Sequence, residues 1–354
     1  MTLPRLITTL ALLCCTAWAA PQDLVFRLPT ANKALFTTGK DDYYVYVDRT
    51  FEGVKSRPWQ AGTYGMVRNP FRPSPGGAVM YSRFHEGIDV KPIYRDANGE
   101  PQDEVHPVAP GRVVHASSNP RHSNYGRYVV VAHQVPEGTI YSLYAHLASV
   151  TCSVGQHVGT GNVLGRLGYS GVGLNKTRAH LHLEIGLMIN SRFADFYMGE
   201  NKHGHYNGMN LAGFNPTDVL MACKNGTPFS LKRYFSTLKE HYRVAVPCVG
   251  TMDILRRHPF LYKGSRDECS RPRSLEIAFT AEGVPIGIYP ADREVSQPCI
   301  ISCSPMPTLQ QNCTVNRVKN DSKRAALTRS GLGYITQFLW QEGIYPPPAP
   351  DTES

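Results

Sequence analysis

No stretch of this chain past its first twenty residues approaches the roughly 18 uninterrupted apolar residues that a membrane-spanning helix needs. Low-complexity segments are missing as well, and the glycines are not spaced as a phosphate-cradling loop opening a helix would space them. Only 18% of the 354 residues are charged and 42% are hydrophobic, which fits a globular protein of about two domains. Basic residues are in excess, 37 Lys+Arg against 28 Asp+Glu for a formal charge of +9, but they are dispersed rather than gathered into a stripe. Nucleic-acid binding is therefore not expected, and a basic exported protein would instead meet anionic envelope polymers.

The start of the chain reads as a cleavable secretory signal over 1–20. Arg5 is its early positive charge, residues 6–15 are apolar apart from Thr8 and Thr9, and the small Ala17 and Ala19 flank Trp18. Cleavage is expected after Ala19 or Ala20, Ala19 being favoured because Pro21 is a poor residue to follow a cut. Leu13 and Cys14 stand where a small residue would precede a lipidated cysteine, so lipidation at Cys14 or Cys15 is disfavoured. The mature protein is then exported, periplasmic or extracellular, with no transmembrane segment and with net charge +8 once Arg5 is lost. Seven cysteines remain: Cys152, Cys223, Cys248, Cys269, Cys299, Cys303 and Cys313. In an oxidising compartment they are expected as disulfide partners rather than metal ligands, with one left over.

The chain divides by texture. Residues 21–59 read as an N-terminal β extension, with strands at 24–28 and 43–47 separated by the Gly39 to Asp42 break. Residues 60–222 are consistently β. Strands at 128–133 and 140–146 flank a Pro136-Glu137-Gly138 turn, and 154–165 alternates glycine turns with β-branched residues. Residues 223–345 hold most of the cysteines and read as an α+β region of unknown role, with a helix over 229–242 carrying Leu231, Phe235 and Leu238, and a hairpin over 275–289 around Glu282-Gly283. Residues 346–354 lack core-forming side chains and read as a disordered tail.

Two short segments carry the chemistry. In 179–185, polar and apolar residues alternate, so His180, His182 and Glu184 share one face of a strand, and Leu181, Leu183 and Ile185 the other. Two imidazoles about 6.5–7 Å apart on one rigid face can serve a single metal site, both as ligands or one as ligand and one as proton carrier. His85-Glu86-Gly87-Ile88-Asp89 adds an imidazole and a carboxylate at a turn entering a strand. Neutral imidazoles and a carboxylate are the donors a catalytic zinc accepts, with one position kept for water. Taken singly, each motif more often decorates an ordinary strand end, as does Tyr144-Ala145-His146-Leu147. The three in this order are far more specific.

Together these motifs resemble the successive signatures of the lysostaphin-type, LytM-like zinc metallopeptidases. Residues 108–114, and 154–158 through 165–168, are similar to the family's connecting strand-turns, so the resemblance spans about 64–185. It implies a small antiparallel β-sheet or sandwich domain of the duplicated-hybrid-motif type with a groove, one Zn2+ per chain, and hydrolysis of stem or cross-bridge peptides of bacterial peptidoglycan. By motif position His85, Asp89 and His182 would be the metal ligands, and His146 and His180 the unligated catalytic pair.

The link before His180 is longer than the family's and carries Lys176 and Arg178, which could receive a substrate carboxylate. Tyr81 is the nearest candidate for an oxyanion-assisting tyrosine. His106, His115, His133, His157, His203 and His205 lack motif support and read as surface or structural. Two other readings are weighed. A catalytically silent LytM-like domain that binds or activates a wall hydrolase would usually have lost ligands. A cupin would show a different glutamate spacing and a later histidine.

Overall fold

The computed structural model describes residues 20–197, 203–265, 272–305, 313–321 and 324–341. Residues 1–19 of the expected signal, the tail 346–354 and Cys269 lie outside the described residues.

Period-two alternation builds the central sheet. A hairpin of β1 (Gly65–Phe71) and β2 (Met80–His85) leads into the short β3 (Ile88–Val90). Then come β4 (Gly111–Ser117), β5 (Arg127–Val135), β6 (Gly138–Leu147), β7 (His157–Val158), β8 (Leu181–Met188) and β9 (Leu211–Phe214). The sheet order is β7-β4-β5-β6-β8-β9, every pairing antiparallel. Along β5, Val129 and Val131 enter the main core while Tyr128, Val130 and Ala132 enter a second cluster on the opposite face. Every residue of β8 is buried, with β6 on one edge and β3 and β9 sharing the other.

The β5–β6 hairpin turns through Pro136-Glu137 as expected. Gly138 is required there twice over: its φ is +139°, and a Cβ would strike the Arg257 carbonyl of the C-terminal region. That region forms a four-stranded antiparallel sheet of β10 (Tyr242–Pro247), β11 (Ser274–Phe279), β12 (Pro285–Ala291) and β13 (Cys299–Cys303), ordered β12-β11-β10-β13. Helix α1 (Leu231–Thr237) covers only the middle of the helix expected over 229–242: the backbone is already extended at Leu238, and Tyr242 opens a strand. Helix α2 (Arg329–Leu339) lays Tyr334 and Phe338 against Phe279, with ring centroids 6.0 and 5.7 Å away. Its Gln337 donates to Asn210 Oδ1 at 2.7 Å, and Asn190 Nδ2 donates back to the Gln337 carbonyl at 3.0 Å. The apolar core runs unbroken from Leu24 to Leu339.

The N-terminal extension departs from expectation. Neither 24–28 nor 43–47 forms a strand: Leu24 makes one bridge to Phe229, Lys40–Tyr43 is a helical turn, and Tyr44 makes one bridge to Val90. The β-forming aromatic run at 43–47 does lie along β3, with Val45 N donating to Asp89 O at 3.0 Å, but β3 is too short to extend the ladder. Cys152, Cys223, Cys248, Cys299 and Cys303 are free thiols, so the expected disulfides are not present among them. Among the described residues no helix is long and apolar enough to cross a membrane.

His133 is wholly buried, between the Pro110 carbonyl at 2.9 Å and Ser142 Oγ at 2.7 Å. Burial, only partly offset by the Pro110 contact, pushes its imidazole down to about 4. An unfolded chain protonates this ring near 6.5. Between pH 6.5 and about 4 the unfolded state therefore binds a proton that the folded state refuses, and stability falls as pH falls through that window. We expect a loss of roughly 3 kcal/mol from this residue across that range, measured by urea melts at stepped pH. His133→Gln should flatten the slope by about one proton, and an unchanged slope would contradict the assignment.

Candidate metal centre

The register of two strand pairs assembles this centre. In β8, His182 stands directly across from Asp89 of β3 and from Ala145 of β6, the residue before His146. His85 ends β2 and Asp89 lies in β3, so the intervening Glu86-Gly87 must turn tightly against β8. Gly87 permits it, since a Cβ there would collide with the Leu183 carbonyl and sit 3.0 Å from His182 Cε1. This is the physical reason for glycine at the centre of the first motif.

His85, Asp89 and His182 are buried, and one donor atom from each lies within 4.8 Å of the others. His85 Nε2 is 3.1 Å from His182 Nδ1, and Asp89 Oδ1 is 3.1 Å from both. The opposite nitrogen of each ring is committed. His85 Nδ1 donates to the Thr63 carbonyl at 2.8 Å, and His182 Nε2 donates to Glu184 Oε1 at 2.9 Å. Glu184 is itself held by the Tyr125 hydroxyl at 2.8 Å, which accepts from the Gly208 amide at 3.1 Å. A carbonyl oxygen only accepts, so the Thr63 contact fixes the His85 proton on Nδ1 and turns the Nε2 lone pair inward.

The same device holds two further imidazoles. His146 Nδ1 donates to the Ser170 carbonyl at 2.9 Å, and His180 Nδ1 to the Arg178 carbonyl at 2.7 Å. Both supports are themselves anchored. Ser170 Oγ donates to Leu147 O and accepts from Arg127 N, while Asn175 caps the short turn Lys176–Arg178. The rings lie 4.8 Å apart edge to face, and His180 Nε2 is 3.4 Å from Asp89 Oδ1. His146 occupies the left-handed region at φ +64°, which a non-glycine residue adopts only where its surroundings impose it.

Electrostatics follow from burial in company. Desolvation pulls His85, His146 and His180 below the ordinary imidazole value, so each is neutral at pH 7. For His182 burial acts in the same direction, but hydrogen bonds to the Asp89 and Glu184 carboxylates outweigh it and lift the pKa to about 10. Burial would raise Asp89, yet positive charge on His180 and His85 where they are protonated, the paired Arg68 and the hydrogen bond from His182 hold it well below the carboxylate range.

A groove of about 830 Å³ opens over these residues. The loop ahead of His180 borders it through Val172, Gly173, Leu174 and Arg178, whereas Lys176 is drawn off to Glu100 at 3.0 Å. Tyr81 pairs with Pro70 and does not line the groove; Tyr125 does. His203, read from sequence as surface or structural, also lines it, packed edge to face on Tyr125 at 5.6 Å. His115 stacks on Tyr128 at 4.3 Å away from the groove. Sequence reasoning missed Tyr125 and the arginines 49, 68 and 83, because no local pattern marks them and they arrive by tertiary approach.

Residues 83–194 match the model of Peptidase family M23. No curated protein matches the chain. Among solved structures it is similar to a zinc containing peptidase from Vibrio cholerae, with 20% identity over 46% of this chain and 37% of that one, TM-score 0.28. It is also similar to the catalytic domain of lysostaphin from Staphylococcus simulans, with 19% identity over 45% and 89%, TM-score 0.27. A third similarity is to the SpoIIQ-SpoIIIAH pore forming complex, with 15% identity over 62% and 100%, TM-score 0.33. The match thus spans little more than a third of the Vibrio cholerae chain.

Gly87→Ala tests the geometry directly. The added methyl must push β8 off β3, at a cost of about 2 kcal/mol or more, read as a lowered urea midpoint. A midpoint equal to that of the unaltered protein would contradict the close approach.

Proposed function

We propose, from the match of residues 83–194 to Peptidase family M23, that the protein is a zinc-dependent endopeptidase of the LytM-like kind acting on peptide bonds of bacterial peptidoglycan. The observation that carries this reading is the convergence of His85, Asp89 and His182 donor atoms within 4.8 Å. Two neutral nitrogens and one carboxylate oxygen make a donor set that suits zinc. His85, Asp89 and His182 would hold the ion, leaving a position open toward the groove. When bound, zinc supplies a Lewis acid that polarises a peptide carbonyl and acidifies water toward neutrality.

His146 and His180 would carry the protons. Each has its Nδ1 proton pinned to a carbonyl, so Nε2 of the neutral ring can only accept at first. Once protonated, the same Nε2 becomes a donor, able to steady a developing oxyanion or to protonate the leaving amine. Burial, and after it charge on His180, lowers the proton affinity of His146, so protonation of one ring disfavours protonation of the other. Arg68 pairs with the Oδ2 oxygen of Asp89, and Tyr125 keeps Glu184 aimed at His182. The rival reading, a silent domain that binds or activates a wall hydrolase, has the complete donor set against it.

His182→Ala should abolish both bound zinc, by elemental analysis, and hydrolysis of wall peptides. Retained zinc would overturn the ligand assignment. His146→Ala and His180→Ala should each keep one zinc and lose turnover by about a hundredfold or more, whereas full activity in either would remove its role. Zinc uptake has its own signature. Without metal His182 is protonated below about 10, so coordination through Nδ1 must expel that proton. Affinity should rise about tenfold per pH unit around neutrality, with one proton released per zinc in calorimetry across buffers of different ionisation enthalpy. A pH-independent affinity would contradict coordination by His182.

A further inference from the structure

Four guanidinium groups border the groove, and they come from separate places: Arg49 from the strand Arg49–Phe51 of the N-terminal extension, Arg68 from β1, Arg83 from β2, and Arg178 from the turn ahead of His180. Only Arg68 has a carboxylate, that of Asp89. Arg178 donates to the Gly173 carbonyl at 3.1 Å, and among the described residues no carboxylate pairs with Arg49, Arg83 or Arg178. Arg49 is half-buried, and behind the effect of burial its proton affinity is lowered by Arg68, Arg178 and Arg83. Two of the three acids that line the groove are engaged elsewhere, Glu184 by His182 and Tyr125 and Asp89 by Arg68 and the imidazoles, while Glu86 forms no ion pair with any of the four arginines. Glu86 faces a second cavity as well, beside Glu282 and Tyr334.

Arg83 and Arg178 are exposed and Arg49 is half-buried, so solvent screens part of their mutual repulsion, and a bound anion would relieve what remains. The guanidinium fork matches a carboxylate through two parallel hydrogen bonds. We infer that Arg49, Arg83 and Arg178 form a carboxylate-binding subsite through which the groove selects peptides bearing a free carboxylate beside the scissile bond. This inference takes its substrate class from the peptidase reading. It separates the two substrates that reading leaves open, favouring an acidic stem peptide over an uncharged cross-bridge. It also gives the N-terminal extension a part in specificity, since Arg49 reaches the groove from there.

The test uses the full chain and two fluorescent stem peptides of one sequence, one ending in a free carboxylate and one amidated, with binding followed by anisotropy and cleavage by chromatography. The carboxylate peptide should bind about tenfold more tightly, the preference weakening with salt. Arg49→Gln, Arg83→Gln and Arg178→Gln should each shrink that ratio, and the triple variant should bring it to about one. Arg57→Gln, which removes an exposed partner of Asp48 outside the groove, should leave it unchanged. Equal binding of the two peptides by the unaltered protein would overturn the subsite, as would a ratio that survives in a natively melting triple variant. The two readings fail separately. A binding preference without hydrolysis of either zinc-loaded sample removes the peptidase, and equally efficient hydrolysis of both peptides removes the subsite.

Discussion

Four imidazoles cluster with one nitrogen of each turned inward, because the opposite nitrogen is tied to an oxygen that can only accept. Thr63, Ser170 and Arg178 supply backbone carbonyls, and Glu184 supplies a carboxylate. Imidazole rings otherwise rotate and exchange tautomers, so each tie fixes both an orientation and the position of a proton. The three carbonyls belong to segments outside the central sheet, and those of Ser170 and Arg178 are steadied by the Ser170 hydroxyl bonds and the Asn175 cap. Much of the surrounding fold can be understood as what keeps those four oxygens still.

β8 bears the greatest share of this. It presents His182 and Glu184 on one face and Leu183 and Ile185 to the core on the other, and its pairing with β3 sets Asp89 opposite His182. A one-residue slip would exchange the two faces. The C-terminal region ties into this neighbourhood: Asn190, just beyond β8, donates to the Gln337 carbonyl of α2, Gln337 donates to Asn210 just ahead of β9, and the Arg257 carbonyl lies close against Gly138 at the β5–β6 turn.

The candidate centre was legible where spacing along the chain equals position in space. Alternation in 179–185 gave the shared face of His182 and Glu184, and the glycine of the first motif marked a turn too close for a side chain. The β5–β6 hairpin and the pair around Gly283 were legible for the same reason, a turn residue between two β-forming runs. What escaped came from long-range approach. Tyr125, Arg49 and Arg68 lie in unremarkable local sequence, and Tyr81 was chosen for nearness in sequence where nearness in space selects Tyr125. The strands expected at 24–28 and 43–47 failed differently. Their residues favour extended chain, but a strand needs a partner of matching length, and β3 offers three residues.

The proposed chemistry asks little of the protein beyond this stillness: a buried donor set for one ion, two neutral bases whose protonations are coupled, and a basic wall that orients an acidic substrate. The most direct test of the central claim is mass spectrometry of purified wall fragments after incubation with the zinc-loaded protein and with a chelated control. Fragments whose masses correspond to peptide-bond cleavage with gain of one water, present only with zinc, are the predicted result. Unchanged fragment masses from protein shown to hold one zinc would contradict it.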